Sequence, residues 1–210
     1  MFKEIPASKS SILRRKTIYS VGVNDAGYIV SPMINGKRHR CPFYIRWYAM
    51  IRRCYSAKNL ESYPTYNGCS VSNEWLVFSN FKAWMITQDW KEKQLDKDIL
   101  ITGNKIYSSG TCIFVPDFIN TILNDSRANR GALPIGVDFD KRRCKFRSRV
   151  NISGKEVLIG YYTAAQAAKE AYIKAKCKNI INVAYSVDNI VIKDALIRIA
   201  GELRVKSNNE

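Results

Sequence analysis

Six cations fall within nine residues of the last third of the chain: Lys141, Arg142, Arg143, Lys145, Arg147 and Arg149, with no acid among them. Cys144, Phe146 and Ser148 interleave with the last of these. Strand alternation sets Arg143, Lys145, Arg147 and Arg149 on one face and Phe146 on the other. The chemistry this suits is neutralisation of phosphates, which supplies most of the affinity of a protein for nucleic acid. Six uncompensated cations repel one another, and a polyanion relieves that repulsion.

Other residues of chemical interest are sparser. The single histidine, His39, sits in Lys37-Arg38-His39-Arg40 and reads as solvated or phosphate-facing. Asp96-Lys97-Asp98 reads, on its residues alone, as an ion-pair cluster on a solvated face. Cysteines stand at 41, 54, 69, 112, 144 and 177 with no CxxC pair. No zinc is therefore expected, and the cysteines read as reduced, small apolar side chains.

The composition fits that chemistry. The chain has 210 residues, 34 Lys+Arg against 18 Asp+Glu, a formal charge of +16, and 46% hydrophobic residues. It can build real cores, and its charge favours DNA, RNA or an anionic membrane surface. The membrane reading is weak, because no apolar run approaches the roughly 20 residues of a spanning helix. Met1–Thr17 is basic but has no apolar signal core, so a cytoplasmic location is expected.

The elements that must position these residues follow from periodicity and turn chemistry. Residues 1–17 read as a mobile basic N-terminal arm. Ile18–Val23 and Tyr28–Met33 read as a hairpin across Asn24-Asp25-Ala26-Gly27, and Asn35-Gly36 as a second turn. Pro42 opens a helix to about Cys54, with Phe43, Trp47, Met50, Ile51 and Cys54 on its apolar stripe. Arg46, Arg52 and Arg53 lie off that stripe as phosphate candidates. A polar loop over 56–67 precedes a helix over about 74–88, whose Trp75, Phe78, Phe81, Trp84 and Met85 read as core. Short extended runs at 95–100 and 111–115 lead to a helix from Pro116 to about Asn124. Strands are expected at 135–139, 144–152 and 156–162. Thr163 then caps a helix to about Lys178, and Val187–Arg204 closes the chain as a further amphipathic helix. The domains expected are 18–125, a linker over 126–132, 133–180, and a C-terminal helix and tail over 181–210. The fold class expected is α+β.

Two segments carry a family resemblance. Gly136-Val137, Phe146-Arg147-Ser148-Arg149, Gly154-Lys155, Ile159-Gly160-Tyr161-Tyr162-Thr163 and Ala167-Ala168-x-x-Ala171-Tyr172 resemble the AP2/ERF-type DNA-binding domain over about 133–178. That resemblance implies a three-stranded antiparallel sheet in the DNA major groove with a helix packed behind it. It makes Arg142, Arg143, Lys145, Arg147, Arg149 and Lys155 DNA contacts. This chain has Phe146 and Ile159 where that family often has tryptophan.

Over roughly 41–123, a second set of motifs is similar to phage HNH homing-endonuclease-like proteins, which often carry an AP2 module. These are Trp47-x-x-Met50-x-x-Arg53-Cys54-Tyr55, Trp75-x-x-Phe78, Leu95-Asp96-Lys97-Asp98-Ile99, Gly103-Asn104, Val115-Pro116 and Ile119-Asn120. This resemblance implies an HNH-like ββα-metal scaffold, Mg²⁺ or Mn²⁺ as cofactor, double-stranded DNA as partner with no protein partner indicated, and the cytoplasm of a phage-infected bacterial host. It also marks a departure. The Asp-His step of the family is Asp96-Lys97-Asp98 here, Thr111 stands nearest the middle Asn, and Asn120 matches the last. Three readings stay open: Asp96 or Asp98 holds the metal with Asn120, the two carboxylates serving as ligand and candidate base, or water or another group as base, while Lys97 stabilises phosphate charge; the site is retired and the scaffold only binds DNA, as a regulator or anti-defence protein; or His39 serves as a replacement base. An RNA-binding protein is the remaining alternative.

Overall fold

A computed structural model describes residues 2–123 and 133–208. The chain is α+β and divides into two compact units, Met1–Phe114 and Val115–Glu210. The division falls earlier than the boundary expected at 125, and the C-terminal helix belongs to the second unit. The expected linker over 126–132 lies outside the described residues.

In the first unit, α1 (Lys9–Leu13) is a single short turn of helix capped by Ser8, whose side chain accepts from Ser11 N–H. The expected free arm instead lies along the rest of the unit. Ala7 N–H donates to Gly27 O, Ile29 N–H donates to Ile5 O, and Lys82 Nζ pairs with Glu4 at 2.6 Å. The Arg15 guanidinium donates to the carbonyls of Asn24, Ala26 and Tyr28. An arginine satisfied by three carbonyls is a brace, not a free charge.

The hairpin expected over 18–33 does not form as a ladder. Tyr19 and Ser20 turn left-handed, at φ 48° and 64°, and Val23 bridges to Val77 in parallel. The hairpin sits one turn later. β1 (Met33–Ile34) pairs antiparallel with β2 (Lys37–Arg38) across Asn35-Gly36, whose φ values of +50° and +73° suit the type I′ turn that Asn-Gly favours.

Next, α2 (Pro42–Tyr55) starts on its proline as expected and buries Trp47, Met50, Ile51 and Cys54. α3 (Ala57–Ser62) is a short helix within the stretch expected as loop, capped by Ser56. The helix expected over 74–88 is broken into a 3₁₀ turn, Asn73–Leu76, and α4 (Phe78–Ile86). The break keeps the aromatic stripe inward: Trp75, Phe78, Phe81 and Met85 are buried, and Trp75 meets Phe81 edge-on at 5.1 Å. β3 (Ser70–Val71) pairs in parallel with β5 (Ile106–Tyr107). β4 (Lys93–Asp96) pairs with β6 (Ile113–Pro116), the strand in which the division between units falls.

The second unit begins with that strand's end and α5 (Asp117–Leu123), which buries Ile119 and Ile122. An antiparallel sheet follows in the order β7 (Val137–Asp140), β8 (Lys145–Ile152), β9 (Lys155–Tyr162). α6 (Ala165–Ser186) starts at an uncapped Ala164 instead of Thr163 and runs eight residues past the expected Lys178. The extension has a packing cause. Cys177, Ile180 and Ala184 continue the buried stripe under α7 (Ile190–Asn208), and the Cys177 thiol reaches Ala200 O at 3.3 Å. Among the described residues no helix is long and apolar enough to cross a membrane.

Candidate nucleic-acid interface

β8 is the middle strand, so its neighbours on both sides decide what its cations meet. Alternation holds along it: Ser148 and Val150 are buried and Phe146 is half-buried, while Lys145, Arg147 and Arg149 take the other face. A register shift at Ser148/Arg149 leaves Ile159 of β9 unpaired; it bends the sheet without flipping β8. Gly136, just before β7, has φ +71°, and a Cβ there would fall inside the Tyr172 ring of α6. Sheet and helix therefore meet at closest approach where only glycine fits.

The neighbouring strands bring acids that the local sequence does not reveal. Arg147 grips Asp138 side-on, Nε to Oδ1 at 3.0 Å and Nη2 to Oδ2 at 2.5 Å. Arg149 Nη2 donates to the same Asp138 Oδ2 at 3.0 Å, and its Nη1 pairs with Glu156. In the turn, Arg143 donates to Asp140 from its backbone N–H (3.1 Å) and from Nη1 (3.2 Å), and stacks 4.7 Å over the Tyr161 ring. Arg147's hydrogen bonds hold the Asp138 carboxyl below its usual range, and Arg143's backbone N–H does the same for Asp140. The expectation of six uncompensated cations is thus corrected. Lys141, Arg142, Lys145 and Lys155 have no acid partner among the described residues. Over 137–162 seven cations face three acids, so the face stays positive. The signal that finds Asp138 and Asp140 is their period-two spacing, once the hairpin register sets them opposite Arg147 and Lys145.

The arginines of α2 are placed differently. Arg46 is half-buried and donates to Lys93 O at 3.2 Å, and Arg53 is half-buried, 5.9 Å over the Tyr66 ring and beside Tyr107. Both have structural partners, contrary to the phosphate-facing expectation. Arg52 is exposed.

Asp96-Lys97-Asp98 closes β4 as a self-satisfied turn. Asp96 Oδ1 accepts the N–H groups of Asp98 and Ile99, each at 2.7 Å. Lys97 is 6% exposed, and its Nζ reaches Asp98 Oδ1 at 2.6 Å and Asn104 O at 2.8 Å. Asn104 returns the contact, its Nδ2 donating to Lys97 O at 2.8 Å. A solvated ion-pair face does not describe this. The lysine is inside and stitches two loops together. Burial raises the Asp96 carboxyl above its usual range. Thr111 Oγ1 donates to Ile106 O at 2.6 Å, bracing its own loop.

As a metal centre the donor set fits poorly. An ammonium already sits against Asp98, and Asp96 commits one oxygen to two backbone donors. Asn120, half-buried on α5, belongs to the second unit. Among the described residues no three His, Cys, Asp or Glu side chains gather to hold a metal ion. His39 stands exposed beside β2. The cysteines are free, all buried except Cys144, and burial pushes the Cys54 and Cys112 thiols up to about 12. No family model, no curated protein and no solved structure matches this chain.

Proposed function

We propose that this chain binds double-stranded DNA through the outer face of the β7–β9 sheet. The observation that carries the reading is the set of exposed cations Lys141, Arg142, Lys145 and Lys155, without an acid partner among the described residues, around the half-buried Arg147 and Arg149, whose guanidiniums pair with Asp138 and Glu156. Carboxylates on Nε and Nη2 of Arg147 and on both terminal nitrogens of Arg149 fix the guanidinium rotamers, so less side-chain entropy is lost when phosphates arrive. Lys145, Lys155 and Arg142 then supply charge that nothing in the sheet neutralises. The AP2-like arrangement of three strands on a helix belongs to this proposal, as does a place in the cytoplasm of a phage-infected host.

The test is a salt titration of the whole chain on a labelled duplex of about 25 bp. Replacing Arg147 and Arg149 by Gln is expected to lower the slope of log K against log salt by about 1.8, roughly fiftyfold in affinity at 0.1 M. An unchanged slope removes the sheet from the interface, and failure of the parent chain to bind duplex removes DNA as the partner.

Metal-dependent cleavage, as in the HNH lineage, is a second reading. What favours it is an exposed Asp98 carboxylate beside Lys97 at the end of β4, with strand β6 and helix α5 following in chain order. In it Asp96 and Asp98 would supply a carboxylate ligand to Mg²⁺ or Mn²⁺ and a candidate base, and Lys97 would stabilise phosphate charge. Incubating the chain with plasmid DNA and either ion decides it. Cleavage lost in Asp98→Ala supports an endonuclease. Shifted but intact DNA in every metal leaves a binding protein built on a retired scaffold.

A further inference from the structure

The densest unpaired charge in the first unit is on the β1–β2 hairpin, not on α2. Lys37, Arg38, His39 and Arg40 follow the Asn35-Gly36 turn, and every residue from Asn35 to Arg40 is exposed. None of the four has an acid within salt-bridge distance among the described residues. The contrast with β8 is direct, since there each central arginine has a carboxylate.

The hairpin is also stiffly rooted. Its ladder continues below the named strands: His39 N–H donates to Pro32 O at 2.9 Å and Cys41 N–H to Val30 O at 2.8 Å. Pro32 and Cys41 are buried, and the Tyr28 hydroxyl lies 3.5 Å from the Cys41 thiol. The ribbon therefore leaves the core as a paired two-stranded finger. Cross-strand register sorts its faces. Met33 is opposite Arg38, and Ile34 is opposite Lys37. Period two adds Arg40 to the Met33–Arg38 face and His39 to the other. Met33 is 60% exposed and Ile34 only half-exposed, so the Met33, Arg38, Arg40 face is the outward one.

We propose that this ribbon is a second contact with duplex DNA, its Met33–Arg38–Arg40 face entering the major groove. The proposal rests on the DNA-binding reading and adds a site in the other unit. Three features select the partner. Charge complementarity selects a polyanion. The width of the finger selects B-form duplex, whose major groove of about 12 Å admits a two-stranded ribbon. A-form RNA has a deep, narrow major groove that side chains do not read. Two forked guanidiniums beside an apolar methionine can meet guanine edges, thymine methyls and flanking phosphates.

The experiment uses the full chain with Arg38→Gln and Arg40→Gln together, on duplex DNA and on duplex RNA of equal length. Both positions are exposed, so the thermal midpoint is expected to stay at the parent value. The expected result on DNA is a salt slope reduced by about 1.8 and an affinity loss of roughly fiftyfold at 0.1 M salt. The loss on RNA is expected to be smaller. If the parent binds DNA and the double variant matches it in slope and affinity, the ribbon is not a contact while the DNA reading stands. An equal loss on RNA overturns the groove assignment. A parent chain that binds neither duplex overturns both readings.

Discussion

The β7–β9 sheet and the Asp96-Lys97-Asp98 turn contain the same kinds of charged residue and use them in opposite ways. In the sheet, carboxylates from flanking strands sit on the solvent face and orient arginines that remain accessible. In the turn, the lysine is drawn inside, the first carboxylate caps backbone N–H groups, and the charge left over is the exposed Asp98 carboxylate. Burial rather than residue type separates a surface that can take a phosphate from a cluster that holds a loop. A buried cation with hydrogen-bonded partners is already satisfied, and a new anion gains little from it.

The largest effect that tests this contrast lies under the sheet. The face can present its forks only while β7 is pressed on α6, and Gly136 permits that approach. Gly136→Ala must both hold a left-handed backbone and displace the Tyr172 ring. A loss of about 3 kcal/mol or more in urea denaturation is expected. A loss below about 1 kcal/mol would mean that the ring moves aside freely and the sheet is not fixed from behind.

The turn is tested by separating stem from charge at Lys97. Lys97→Ala removes buried methylenes and leaves Asn104 O unpaired, at a cost of about 3 kcal/mol. Lys97→Met keeps the stem and lets the exposed Asp98 rehydrate, but it also leaves Asn104 O without its donor, so it is expected to cost about 1–2 kcal/mol, less than Lys97→Ala. The salt slope for duplex DNA is expected to stay at the parent value in Lys97→Met, because the ammonium has no room for a phosphate. A slope reduced by about one unit would instead make Lys97 a DNA contact and erase the contrast.

Legibility in the sequence followed the same divide. Elements written by local pattern were readable: the proline-opened α2, the Asn35-Gly36 turn, the alternation along β8 and the apolar stripe of α6. What depended on distant partners was not. Ile18–Met33 reads as a hairpin, but its left-handed residues and its bridge to Val77 make it a loop laid against α4's entry. Asp138 and Glu156 become partners of the basic run only through register. Lys97 looks solvated in any local window; its burial is created by Asn104 and Tyr107 across the loop. Whether the Asp96 and Asp98 carboxylates are free depends in the same way on which backbone N–H groups and which ammonium fold onto them.

The smallest expected effect tests the turn most finely. Burial raises the Asp96 carboxyl, against the lowering by the N–H groups of Ile99 and Asp98. A folded-state value above the unfolded one, about 3.9, means the fold prefers the protonated acid. That contribution is complete below the unfolded value and is lost as pH rises through the folded value. The ionised form therefore weighs against stability at neutral pH. Asp96→Asn keeps an oxygen for both N–H donors and removes the charge. It is expected to match the parent near pH 4 and to be equally or slightly more stable at pH 7, within about 1 kcal/mol. Asp96→Ala, which loses the acceptor, is expected to cost about 1–3 kcal/mol at both pH values. Urea midpoints at the two pH values distinguish the cases. If Asp96→Asn is clearly weaker at pH 7 but not at pH 4, the negative charge itself is wanted there. Asp96 would then resemble the sheet carboxylates, which serve a cation, more than a cap that serves the backbone.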